Sequence, residues 1–163
     1  MGKLPERSMN FLERLVADWY GHQGYLVQTN MKFGKRANGG YEGEMDVLAM
    51  HLKNRSIVHV ETSSDADSWE ERRVRVIRKF KNAEKHYLSD SGLKFETITR
   101  LAVVGARKPK KQPIAIDGIE IISIDELMGR IKGYVGLLNP ASEAVPEGFG
   151  YLRAVQFAVW FGK

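Results

Sequence analysis

Cysteine is missing from all 163 residues of the chain. Its absence excludes disulfides, thiolate metal sites and cysteine nucleophiles. It also fits a cytoplasmic protein, because reducing compartments do not retain disulfides. The longest strongly apolar runs fall far short of a membrane span. The opening residues, MGKLPERSMNFLERL, interrupt their apolar positions with acids and bases and so lack a signal-peptide core. Internal repeats, low-complexity tracts and zinc-finger spacings are absent. So are a phosphate-loop motif, a Ser-His-Asp signature and a dinucleotide fingerprint, which leaves no organic cofactor to expect.

What remains is an ordinary folded composition, 43% hydrophobic and 28% charged. Twenty-five Lys and Arg against twenty Asp and Glu give a net charge of +5, compatible with a polyanionic partner. Met9, Leu12, Leu15, Val16 and Trp19 share one face at helical spacing, predicting a helix from about Pro5 to Tyr20. A strand over YLVQTNMKF, a Gly-rich basic loop, and two strands at roughly 44–52 and 56–62 follow. Ser68 and Glu71 have capping-box spacing and open a helix to about Leu88. Strands over TITRLAVVGA and GIEIISI precede a helix started by Asp125. The order α-β-β-β-α-β-β-α predicts an α/β sandwich, a central mixed sheet flanked by helices, over residues 1–138. Residues 139–163 read as a linker and an apolar helix, packed on the domain or in a homodimer interface.

Two carboxylates interrupt the paired strands. Side chains alternate faces, so Glu44, Asp46, Leu48 and Met50 share one side, as do Ile57, His59, Glu61 and Ser63. In a hairpin turning at residues 53–55, positions whose numbers sum to about 108 lie opposite each other, which places Asp46 and Glu61 nearly adjacent. Two such acids on half-buried strands repel each other and resist desolvation. A divalent cation, Mg²⁺ or Mn²⁺, relieves both penalties, whereas the plain alternative is an ion pair with the next helix. His59 reads as a packed core histidine, and Asp65 and Asp67 as helix caps.

The succession of a helix bearing Glu13, the strand GEMDVLA, the strand IVHVETS and a basic helix resembles the PD-(D/E)XK nuclease superfamily, closest to its Mrr-like and Holliday-junction-resolvase-like members. The resemblance covers roughly residues 8–130. It implies a restriction endonuclease-like fold and metal-dependent hydrolysis of double-stranded or branched DNA. Asp46 and Glu61 would hold the metal, and Glu13 would assist from the first helix. The family's lysine, two residues past the glutamate, is replaced here by Ser63. A substitute cation is expected from the basic helix, with Lys79 in the lysine's role and Arg73 as a fixed charge inside the apolar face. Arg75, Arg78 and Lys85 are expected to point away. Phosphate contacts are assigned to Lys32, Lys35, Arg36, Arg72, Arg73, Lys79, Lys81, Arg107, Lys108, Lys110 and Lys111. The alternative is a nuclease-fold protein that binds nucleic acid or a protein partner without cleavage. A third reading is an unrelated α/β protein whose acids form ordinary ion pairs.

Overall fold

Asn10 starts the first helix. Its side chain accepts from the Glu13 backbone N–H while Glu13 reaches back to the Asn10 N–H, so α1 runs Phe11–His22. This cap, five residues after Pro5, replaces the expected start. The computed structural model describes residues 10–63, 68–89, 94–105 and 115–162. Asp65, Asp67, Arg107, Lys108, Lys110 and Lys111 lie outside the described residues.

After α1 come β1 (Leu26–Lys35), β2 (Tyr41–His51) and β3 (Ser56–Ser63), then α2 (Trp69–Glu84) and the short α3 (His86–Ser89). β4 (Thr97–Val104), β5 (Ala115–Ile116) and β6 (Ile119–Ser123) lead to α4 (Ile124–Gly136) and, past a 3₁₀ turn, α5 (Gly150–Phe161). Ser68 and Glu71 close the expected capping box on α2. On α4 the cap is Ser123, paired with Glu126, and not Asp125, which falls inside the first turn.

The strands form one mixed sheet in the order β1-β2-β3-β4-β6-β5. β1, β2 and β3 pair antiparallel, β3, β4 and β6 parallel, and β5 returns antiparallel on β6. In the β2–β3 hairpin Val47 faces Val60 and Leu48 faces His59. That register is one residue tighter than the turn had implied. Carried one step further, it sets Asp46 directly against Glu61.

Helices cover both faces, so the central strands are buried on both sides. On one face Leu12, Leu15 and Val16 of α1, Leu127, Ile131 and Val135 of α4 and Leu152 of α5 pack over Val47, Ala49, Val58, Val60, Leu101 and Val103. On the other, Val76 and Phe80 of α2 meet Ala102, Val104, Ile119 and Ile121, while Ala83 and Tyr87 meet Leu48 and Ile57. Among the described residues, no helix is long and apolar enough to cross a membrane.

The tail is built into the first of these layers. Asp18 of α1 accepts hydrogen bonds from the backbone N–H groups of Tyr151 and Leu152, capping α5 from outside its own sequence. Gln156 is fully buried; its carbonyl accepts from the Val145 N–H and its amide donates to the Leu138 and Glu143 carbonyls. Phe157 and Phe161 remain exposed on the outer side of the helix.

Gln156 therefore ties α5 to the segment that reaches it. Gln156→Leu strands three backbone groups in an apolar setting, and a loss of about 2–4 kcal/mol in unfolding free energy is expected. Chemical denaturation of the two proteins measures it directly.

Candidate active site

Strand periodicity puts Asp46 and Glu61 on the sheet face covered by α2, and both are only 3% exposed. Each carboxylate is pinned at one oxygen. Asp46 Oδ2 accepts from the Thr62 N–H at 2.8 Å and lies 3.3 Å from the Thr62 hydroxyl. Glu61 Oε1 lies 2.7 Å from His59 Nε2 and accepts from the Asp46 N–H at 3.3 Å. These contacts take over where the regular β2–β3 ladder stops at Val47 and Val60.

The other oxygens converge on Lys79. Its ammonium bonds Glu61 Oε2 and sits 3.5 Å from Asp46 Oδ1. Lys79 lies between Val76, Phe80 and Ala83, which anchor α2 in the core, so the helix delivers the cation from across the sheet. Two carboxylates thus share one lysine, and Glu61 has the larger part of it.

The titration of the three groups follows that division. Burial, and then the Glu61 charge, push the Asp46 carboxyl above its ordinary value, with Lys79 and Thr62 only partly offsetting them. Burial also opposes ionisation of Glu61, yet the hydrogen bond from His59 and the Lys79 ammonium hold it below the usual range. Burial disfavours the charged form of Lys79, but Glu61 and Asp46 outweigh it and raise its pKa. Lys79 is therefore a fixed positive charge.

Several expected residues sit elsewhere. Glu13 is buried, but both its oxygens accept from Asn10, so its carboxylate serves the α1 cap. No group of three or more acidic or histidine side chains arranged to hold a metal occurs among the described residues. The apolar face of α2 is phased one residue away from the expected one. Arg72 is buried at 4% exposure, which removes it from the phosphate-binding surface, while Arg73 is exposed and 3.6 Å from Glu70. Lys81 is exposed and 3.9 Å from Asp117. Lys32, Lys35 and Arg36 are exposed at the end of β1, with Lys32 over the Tyr41 ring. Ser63 ends β3, paired with Val104 of β4.

Arg78 points away from the apolar face as expected and lines an open groove of about 360 Å³ beside Lys79, with Phe33, Glu42, Gly43, Glu44 and Asn82. Among the described residues, Glu44 Oε1 is buried with no hydrogen-bond partner. Thr62, His59 and Tyr87 were missed as members of the site. Thr62 is adjacent to Glu61 but acts on Asp46, a cross-strand relation that only the register reveals. His59 is a core residue as expected, and also a partner of Glu61.

The opposite titration of the two acids separates them in stability measurements. A carboxyl with a raised folded-state pKa favours the native state when protonated, so the Asp46 charge erodes stability as pH rises above about 4. Asp46→Asn is expected to leave stability at neutral pH unchanged or raise it by ~1 kcal/mol, and to remove that erosion. The stabilising contribution of Glu61 is present above its unfolded value and is lost as pH falls through its depressed folded value. Glu61→Gln is expected to lower stability at neutral pH by ~1–3 kcal/mol. Melting curves between pH 2 and 8 test both signs.

No protein-family model matches the chain, and no curated protein matches it. Among solved structures it is similar to the crystal structure of a protein of unknown function, AF1548, at 13% identity and a TM-score of 0.50. The match covers 94% of this chain and 98% of that one, a likeness of fold: a mixed α/β sheet with flanking helices.

Proposed function

We propose that the protein is a metal-dependent endonuclease of the restriction endonuclease-like α/β type, hydrolysing phosphodiester bonds in DNA. The observation that carries this reading is the convergence of Asp46 Oδ1 and Glu61 Oε2 on one point while their second oxygens are pinned. One lysine offsets one of the two negative charges, so with both acids ionised the pair carries a net negative charge. Two converging carboxylate oxygens, once Lys79 turned toward a phosphate, would suit Mg²⁺ or Mn²⁺ completed by water and phosphate oxygens. Bound by Asp46 and Glu61, such an ion would supply a more acidic water and stabilise charge on the phosphoryl group.

The chain's own part is electrostatic. Lys79, held protonated by the two acids, contributes a positive charge for the scissile phosphate and is not a general base in this state. It takes the place that Ser63 leaves vacant, approaching from α2 instead of along β3. Arg78 and Asn82 extend polar contacts along the groove, and Lys32, Lys35 and Arg36 lie where the β1–β2 hairpin could meet a backbone. A second reading, a nuclease-fold protein that binds without cutting, draws on the same lysine, since it already bridges the oxygens a metal would use.

Incubation of plasmid, linear and branched DNA with Mg²⁺ or Mn²⁺ is expected to give cleavage by wild type and none by Asp46→Ala or Glu61→Ala. Lys79→Ala is expected to be slower by ~10²-fold or more. Equal activity in all four proteins would sink the assignment, and retention of DNA without cleavage would establish the second reading.

A further inference from the structure

His59 is fully buried inside β3, yet it is polar at both ring nitrogens. Nδ1 is hydrogen-bonded to the Tyr87 hydroxyl, and Nε2 lies 2.7 Å from Glu61 Oε1. A carboxylate can only accept, so Nε2 carries the hydrogen toward Glu61, and in the neutral ring the Tyr87 hydroxyl donates to Nδ1. The Phe80 ring, 4.6 Å from the imidazole between centroids, holds it laterally. Burying a histidine and a tyrosine hydroxyl in contact with a carboxylate is costly unless each bond is made. Here each is made, and the result is one defined orientation of the Glu61 carboxylate.

We propose that His59, backed by Tyr87, is a positioning residue that ties up Glu61 Oε1, so that a divalent cation displacing the Lys79 ammonium meets one oxygen of this acid only, Oε2. The inference rests on the reading of Asp46 and Glu61 as a cation site. Thr62 does the same to Asp46, leaving Oδ1. One oxygen from each acid suits a small ion that keeps most of its water in octahedral geometry. It does not suit Ca²⁺, which takes carboxylates bidentately at longer distances and in larger number. His59 and Tyr87 thereby set which divalent ion the pair accepts, without touching it.

The test is calorimetric titration of the full chain with Mg²⁺ and with Ca²⁺, for wild type, His59→Ala, His59→Gln and Tyr87→Phe, with circular dichroism to verify folding. Wild type is expected to prefer Mg²⁺. His59→Ala is expected to weaken Mg²⁺ binding by ~10-fold or more while leaving Ca²⁺ binding unchanged or tighter, so that the preference collapses. Tyr87→Phe, which keeps the core filled should His59→Ala not fold, moves the ratio the same way by less. His59→Gln, whose amide can donate to Oε1, restores it. Folded variants whose Mg²⁺ and Ca²⁺ affinities are unchanged, or fall in equal proportion, overturn the positioning role while leaving the cation site intact. Wild type that binds neither ion overturns the cation site itself, and the positioning role with it.

Discussion

Two carboxylates buried against each other on one sheet face are the constraint around which this structure is arranged. Isolated charges of the same sign at that depth would cost several kcal/mol each. Among the described residues, the polar partners of the pair are accordingly donors or a cation: the Thr62 N–H and hydroxyl, the Asp46 N–H, His59 Nε2 and the Lys79 ammonium. The strand ladder itself yields at this point, since Asp46 and Glu61 side chains take the backbone donors that regular pairing would have used. A hairpin built only for stability would place two valines here, as it does one step earlier with Val47 and Val60.

The apolar core and the polar site are consequently not separable. Lys79 reaches the acids because Val76, Phe80 and Ala83 seat α2 on the sheet, and α2 starts where it does because Ser68 and Glu71 cap it. His59 is held between Phe80 and Tyr87, both in that same layer. A lysine carried on β3 at the Ser63 position would have been placed by strand geometry alone. A lysine carried on a helix is placed by side-chain packing, so changes in that core alter the distance between charges.

Period-two alternation sufficed to put Asp46 and Glu61 on a common face, because it needs nothing beyond the strand assignment. The register needed the turn as well, and there the reading slipped by one residue: Arg55, at φ 48°, bends the chain in a way its residue type does not announce. Lys79 was legible from the helical wheel as a residue flanking the apolar face, where a long side chain reaches the sheet despite a small error of phase. Arg72 and Arg73 were not, because they stand at the edge, where a rotation of one residue exchanges buried for exposed. Glu13 carried two signals, a match to a helix glutamate and an N-x-x-E cap. The local hydrogen bonds to Asn10 prevailed, as they depend on three residues and not on the whole fold. The mixed sheet with helices on both sides followed from element order, whereas the burial of α5 rests on Asp18 and Gln156, contacts far apart in sequence.

The charge on Lys79 is what keeps the site from being a mere ion pair. A single lysine that bonded both acids equally would spread its compensation and leave neither strongly perturbed. The observed asymmetry, with a direct bond to Glu61 and 3.5 Å to Asp46, instead divides the pair into a firmly ionised acid and a reluctant one. The firmly ionised acid is also the one whose second oxygen His59 immobilises, so it forms a rigid half of the site. Asp46 forms the half whose charge is least compensated, beside a groove that Glu44 helps to line. A rigid anionic oxygen next to an undercompensated one is the asymmetry on which the proposed cation site rests.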